Sequence, residues 1–164
     1  MNVKEKFISK LEKVADRRDP YIWSGQGQKL RKLNIFELIS MSQSLTALLA
    51  MITYIFNCMR QGYRMTDCKV FDCSGLMTYY LIKLGVISGD TTAQGLYNIS
   101  KKKNISEVQR GDLVFCGTNE KDITHVGCYI GNNTVIEARG SKYGVCRTKL
   151  SERDFAYCGD VFSE

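Results

Sequence analysis

The hydrophobic pattern of the chain changes period near its middle, and this change restricts the possible folds most. Before residue 85, apolar residues recur at helical spacing, as Val3, Phe7 and Leu11 do. From residue 111 the chain consists of short β-rich runs separated by Gly, Asn and Lys turns, with a tight hairpin signal, GNN, at 131–133. Helices followed by neighbouring strands predict an α+β fold, with N-terminal helices on an antiparallel sheet of about five strands.

Length and charge limit the domain count and the kind of partner. The 164 residues contain no internal repeat or linker, so we expect one domain over 1–164, with a helical insertion at about 30–66. A net charge of +6 favours an anionic partner. The basic residues are scattered and form no stripe, so no nucleic acid is expected as a partner. The chain is expected to be a monomer.

An uncharged stretch complicates this picture. Residues 38–59 carry no charge over 22 residues, which is long enough to span a bilayer. Two capping signals divide the stretch, because Asn34 with Glu37 can cap one helix and Ser44 a second. Two interpretations stay open, a membrane anchor and a helical pair buried against the domain; we favour the pair and expect no stable membrane insertion.

The seven cysteines give no sign of a metal site. None forms a CxxC pair, and a single His is too few for the common zinc patterns, so neither a metal nor a cofactor is expected. The first residues, MNVKEKFISKLEK, lack the apolar core of a secretion signal. Together with an odd cysteine count, this predicts synthesis in the cytoplasm.

One cysteine stands where a nucleophile could be activated. Cys73, in FDCSGL, begins an apolar segment over 73–84 that predicts a central, buried helix ending at Gly85. Unpaired N–H groups at a helix start favour a thiolate, and the small Ser74 and Gly75 leave local N–H groups free for an oxyanion. A buried structural thiol is the alternative interpretation.

A possible base for this thiol lies in the strand-rich half. His125, in THVGCYIG, is the single His of the chain. It could lie against the helix that starts at Cys73, or it could be a structural histidine beside a strand.

Four motifs in order resemble the NlpC family of papain-like cysteine peptidases and amidases, which cut peptidoglycan stem peptides. They are PYIWSG at 20–25, FDCSGL at 71–76, RGDLVF at 110–115 and HVGCYIGNN at 125–133, followed by VIEARG at 135–140. The resemblance covers 20–25 and about 70 to 162. It implies a papain-like fold, and the helical insertion could then form one wall of the substrate groove.

The resemblance also implies residue roles. Cys73 would be the nucleophile and His125 the base, while the Tyr21 hydroxyl would lie near the thiol and help to bind the oxyanion. Asp72 matches the Asp before the nucleophile, where a role in loop structure or substrate contact is as plausible as chemistry. Ser74 follows the nucleophile at the mouth of the helix.

The third polar position of the family usually holds His, and here it is Glu137. A carboxylate can still hold the tautomer of His125 and favour its imidazolium form. On this basis Glu137→His should keep substantial activity. The alternative is that Glu137 faces solvent and another group orients His125.

The resemblance implies hydrolysis of a peptidoglycan stem-peptide amide, most often the D-γ-Glu bond to the diamino acid, through a thioester acyl-enzyme. Two other functions stay open: a papain-like thiol enzyme with a non-wall substrate (deamidase, acyltransferase or protease), and a non-enzymatic binding module. The expected place of action is the bacterial cell wall. The chain would reach it as a phage-type lysin released by a separate pore-forming protein, or as a fragment of a longer secreted protein.

Overall fold

The computed structural model describes residues 1–163 and places most of its helices before its strands. The helices are α1 (Val3–Arg17), α2 (Ile35–Met41), α3 (Leu45–Arg60), α4 (Cys73–Lys83) and α5 (Ala93–Ile99). The strands are β1 (Gln26–Lys29), β2 (Lys69–Phe71), β3 (Lys101–Lys103), β4 (Leu113–Asn119), β5 (Asp122–Gly131), β6 (Thr134–Gly140), β7 (Gly144–Lys149) and β8 (Tyr157–Asp160). Single 3-10 turns lie at Leu30–Lys32, Met65–Asp67, Ile105–Glu107 and Leu150–Glu152.

Six of these strands form one sheet in the order β3-β8-β4-β5-β6-β7, and every neighbouring pair is antiparallel. Strands β1 and β2 form a separate antiparallel pair. The predicted α+β fold is confirmed, but the sheet has one more strand than the expected five. The additional strand is β3, three lysines that pair with β8 at the edge, where a strand needs only one partner and its side chains can stay in water.

The predicted hairpin joins β5 to β6. Asn132 and Asn133 both have positive φ, at 50° and 56°. Two consecutive residues in this conformation give a turn whose twist matches the flanking strands, and Asn tolerates it better than most residues. The hairpin brings β6 next to β5 and therefore brings Glu137 towards His125.

The main core lies between the large sheet and the helices α1, α4 and α5. Phe7 and Leu11 of α1, Leu81 of α4 and Leu96 of α5 are fully buried against sheet residues such as Phe115. Each such side chain contributes about 1.5–3 kcal/mol by leaving water. This packing fixes α4, and with it Cys73, on the face of the sheet.

The 30–66 segment forms α2 and α3 as its capping signals predict. Asn34 and Glu37 make a reciprocal capping box at α2, and the Ser44 hydroxyl accepts the Ala47 N–H at the start of α3. The two helix starts predicted from these residues are confirmed.

The prediction that this helical pair is buried is only half right. Leu48, Met51, Tyr54 and Cys58 are buried along one side of α3, whereas α2 contains no buried residue. The capping signals predict where the two helices begin, but they do not distinguish a buried apolar face from an exposed one. Among the helices of residues 1–163, none has both the length and the apolar character needed to cross a bilayer.

Candidate active site

Cys73 is the first residue of α4, directly after strand β2 and the capping residue Asp72. It is partly buried against the main core. In residues 1–163 its backbone N–H donates to no protein acceptor, as expected in the first turn of a helix. The free N–H and the positive end of the helix dipole both favour negative charge at this position. Gly85, with φ at +70°, follows the end of the helix as predicted.

Asp72 and Ser74 are occupied in holding the start of the helix. The Asp72 carboxylate accepts the Gly75 N–H at 2.7 Å and the Ser74 hydroxyl at 3.3 Å. Burial raises the pKa of Asp72, and these two donors oppose that shift. Among the local N–H groups expected to be free for an oxyanion, that of Gly75 is therefore not available, because it donates to the cap.

The loop at 20–25 is fixed against the same helix start. The Asp72 N–H donates to the Gly25 carbonyl at 2.8 Å, and a Cβ on Gly75 would lie 2.1 Å from that oxygen. Only glycine at 75 allows this close approach. The contact holds Tyr21 near Cys73, through a bridge between Tyr21 and Phe71.

Tyr21 keeps its proton in this position. Burial raises the pKa of its hydroxyl, and the neighbouring Cys73 and Asp72 raise it further because both carry negative charge when ionised. A protonated hydroxyl near the sulfur can donate a hydrogen bond to an oxyanion formed there.

His125 and Glu137 form the polar pair on the other side of the site. His125 Nε2 lies 2.6 Å from Glu137 Oε2, and the Glu137 side chain is fully buried. With a carboxylate as partner, Nε2 carries the hydrogen and donates it, which leaves Nδ1 of the neutral ring to accept a proton from a thiol.

The charges around the ring favour imidazolium. Burial of the ring opposes protonation, but Cys73 and Glu137 outweigh it and raise the pKa of His125 to about 9. Burial also opposes ionisation of Glu137. Hydrogen bonds from His125 and Thr148, together with the positive charges of His125 and Arg153, nevertheless lower the pKa of Glu137 to about 2. The two shifts describe a charged pair near neutral pH.

Two further residues hold Glu137, and sequence reasoning missed both. Arg153 donates to both carboxylate oxygens, each at 3.1 Å, and the Thr148 hydroxyl donates to Oε1 at 2.6 Å. Phe155 stacks on the His125 ring with centroids 6.1 Å apart. Arg153 and Phe155 lie in the connection between β7 and β8, and their sequence signals are weak because their roles depend on how the chain folds back after β7.

A cleft of about 570 Å³ opens beside Cys73. Its wall includes the exposed Trp23 and two acidic residues, Asp72 and Asp90, but no Lys or Arg from residues 1–163. The cleft therefore favours a substrate that carries a protonated amine. Helices α2 and α3 contribute no residue to its wall, so the expectation that the insertion forms a wall of this groove is not met.

Within residues 1–163, no three His, Cys, Asp or Glu side chains are grouped so that they could hold a metal ion. The seven cysteines are all free thiols in the described chain.

The model of the NlpC/P60 family matches residues 53–158. The chain belongs to the NlpC/P60 family. Among curated proteins, this NlpC/P60 chain is 41% identical over 68 residues to the peptidoglycan endopeptidase RipA of Mycolicibacterium smegmatis, covering 42% of the chain and 13% of RipA. It is 45% identical over 73 residues to the bifunctional muramidase/DL-endopeptidase CwlT of Bacillus subtilis, covering 43% of the chain and 22% of CwlT.

A third relative is the murein DD-endopeptidase MepH of Escherichia coli, 38% identical over 85 residues, which cover 50% of the chain and 31% of MepH. These matches therefore span less than a third of each relative.

Solved structures agree on the fold. The P60 domain of a Mycobacterium avium subspecies paratuberculosis antigen superposes with a TM-score of 0.61 at 21% identity, covering 99% of this chain and all of that one. RipD of Mycobacterium tuberculosis superposes with a TM-score of 0.63 at 17% identity, covering 98% of both chains. RipD is described as a non-catalytic NlpC/p60 domain protein adapted to peptidoglycan binding. Activity in the NlpC/P60 chain must therefore be argued from its site.

The thiols should differ sharply in reactivity. Burial raises the pKa of Cys68 to about 12, raises those of Cys116, Cys146 and Cys158 to about 11, and raises that of Cys128 as well. Cys73, at a helix start beside His125, should alkylate more than about tenfold faster than these five near neutral pH. Peptide mapping after brief iodoacetamide treatment would measure this. His125→Ala should slow the labelling of Cys73 alone, whereas uniform labelling would contradict activation.

Proposed function

We propose that the chain is a cysteine hydrolase that cleaves stem-peptide amide bonds of peptidoglycan through a thioester acyl-enzyme. The observation that carries this proposal is the buried, charge-paired contact between His125 and Glu137, adjacent to a thiol at a helix start. A binding module does not need this arrangement.

The reaction would begin from a pair of Cys73 thiolate and His125 imidazolium, in which Nδ1 holds the proton taken from the thiol while Nε2–H stays bonded to Glu137. The thiolate attacks the amide carbon, and the oxyanion accepts hydrogen bonds from the Cys73 N–H and the Tyr21 hydroxyl. The C–N bond then breaks as the leaving amine takes the proton from His125, leaving a thioester. Water, deprotonated by His125, hydrolyses the thioester, releases a carboxylic acid and restores the thiol.

We further propose the D-γ-Glu bond to the diamino acid as the scissile bond. This bond joins a D residue to an L centre, and one relative is named a DL-endopeptidase. Another is named a DD-endopeptidase, so kinship alone favours neither bond. The acidic wall of the cleft adds support, because the diamino acid and a free N-terminus are the parts of a stem peptide that carry amino groups.

The place of action follows from the substrate. We propose that the chain acts on the bacterial cell wall as a monomer, whether released as a lysin or carried by a longer secreted protein.

Digestion of purified peptidoglycan tests this proposal. Released peptides should carry a new D-Glu γ-carboxyl terminus and a new amino group on the diamino acid, as identified by mass spectrometry. A different new terminus would overturn the bond assignment but not the hydrolase. If peptidoglycan stays intact while a protein substrate is cleaved or deamidated, the alternative of a thiol enzyme with a non-wall substrate is favoured. Tight binding without any new terminus would favour a binding module.

The pH dependence should show the state of His125. The imidazolium is the proton donor to the leaving amine, and His125 is protonated below its pKa of about 9. The value of kcat/KM should therefore fall as pH rises through about 9. Glu137→Gln removes a charge that raises this pKa. The alkaline limb of the pH profile of kcat/KM should therefore move to lower pH. A limb that stays in place would show that Glu137 does not control the ring.

A further inference from the structure

The helices α2 and α3 expose an unusual amount of apolar surface. Seven large apolar side chains on them are between 51% and 78% exposed: Ile35, Phe36, Ile39, Leu45, Leu49, Phe56 and Met59. We call these residues the α2–α3 face. Single exposed apolar residues are ordinary, but a concentration of them on one segment indicates a surface that binds something.

On α3 the exposed residues form a continuous stripe. The exposed residues Leu45, Leu49, Phe56 and Met59, with the half-buried Ile52 among them, recur at intervals of four and three residues, which keeps them on one side of a helix. The buried residues Met51, Tyr54 and Cys58 lie on a different side and hold α3 to the domain. The stripe is therefore available for contact while the helix stays anchored.

The charges that flank the face along the chain are positive, apart from Glu37. Residues 29–64 contain five basic residues and one acidic residue, with none between 38 and 59. Arg31, Lys32, Arg60 and Arg64 are exposed, and in the described chain none of them forms an ion pair. The one acid, Glu37, accepts the Asn34 N–H in the capping box.

This charge pattern decides between two kinds of occupant. A second copy of the chain would bring the same cations to the rim of the interface, with only Glu37 to oppose them. An anionic bilayer surface meets these cations with its headgroups and the exposed apolar side chains with its acyl boundary. We propose that the α2–α3 face docks the chain peripherally on anionic membrane surfaces.

The docking would be interfacial. Helix α3 has 16 residues and is about 24 Å long, shorter than the roughly 30 Å hydrocarbon core of a bilayer. One side of it is held in the domain core, so only the stripe can enter the headgroup region. This inference does not depend on the reaction that the cleft catalyses.

Vesicle flotation of the purified chain tests the proposal. The chain should float with vesicles of phosphatidylcholine mixed with phosphatidylglycerol, bind poorly to phosphatidylcholine alone, and dissociate as salt rises. The triple variant Phe36→Ser, Leu45→Ser, Phe56→Ser should lose at least about tenfold in partition. Its matched control, Val3→Ser, Ile82→Ser, Ile99→Ser, removes exposed apolar residues elsewhere and should retain binding.

The cations are tested in the same way. Arg31→Gln, Lys32→Gln, Arg60→Gln should weaken binding on the order of a hundredfold. Lys10→Gln, Lys101→Gln, Lys121→Gln removes the same charge from exposed positions elsewhere and should have a much smaller effect. Thermal melting of each variant verifies the fold, which exposed substitutions should leave intact.

Other outcomes would overturn the proposal. Equal loss in test and control variants would indicate general electrostatic attraction without a docking face. A dimer in light scattering that the apolar variants dissociate, without vesicle binding, would assign the face to a second copy. A monomer that binds no vesicle would remove the proposal altogether.

Discussion

Cys73→Ala should abolish hydrolysis of peptidoglycan, with a loss on the order of 10⁴-fold or more in turnover. The variant removes the only atom that can form the thioester, while His125, Glu137 and Tyr21 remain in place. Residual cleavage would require direct attack of water on the amide, and water is a much weaker nucleophile than the thiolate. Release of soluble peptides, quantified by mass spectrometry, is the measurement.

The fold of this variant should be nearly unchanged. Cys73 is partly exposed and its sulfur holds no structural hydrogen bond among the described residues, whereas Asp72 and Gly75 maintain the helix start. Cys58→Ala, in α3 and away from the cleft, is the matched control and should remain active with a modest loss of stability. Full activity in Cys73→Ala would remove the acyl-enzyme mechanism, and equal losses in both variants would point to damage to the fold.

The elements that carry the site could be predicted because their signals are local. An apolar helix begins at Cys73, and GNN turns β5 back to β6, which brings Glu137 next to His125. The position of Glu137 came from the resemblance to the NlpC family, since nothing local distinguishes it from other strand carboxylates.

What could not be predicted depends on tertiary contacts. Thr148 reaches Glu137 only because of the register of β7 beside β6, and Arg153 only because the chain folds back after Leu150–Glu152. The exposure of α2 was missed for a related reason. An apolar composition indicates that a helix tends to be removed from water, but it does not indicate which surface covers the helix.

At position 137 the hydrogen-bond partners seen in the structure suit a carboxylate, whereas the family pattern usually has His. Glu137→Ala should lower turnover by one to two orders of magnitude, or about 1.4–2.7 kcal/mol of barrier, because the imidazole loses both its orienting acceptor and a stabilising charge. Glu137→Gln should lose less, since an amide oxygen can still accept from Nε2–H. Both variants leave Arg153 without its carboxylate, so both should also lower the melting temperature.

Arg153 alters the expectation for histidine at this position. The family pattern alone predicts that Glu137→His is active. The Glu137 carboxylate has two oxygens, which accept from His125, Thr148 and Arg153 together. A neutral imidazole has one acceptor nitrogen, and Arg153 would compete with His125 for it. We therefore expect Glu137→His alone to be nearly as impaired as Glu137→Ala.

Removing the competitor should restore function. The double variant Glu137→His, Arg153→Met leaves the single acceptor nitrogen to His125, so its kcat should exceed that of Glu137→His by about tenfold. Arg153→Met alone is the control and should lose stability, because it leaves the buried carboxylate with fewer donors. Steady-state kinetics and melting curves for the set separate these effects. If Glu137→His is fully active while Arg153 is intact, the guanidinium does not compete for that nitrogen; if every variant matches the original chain, another group orients His125.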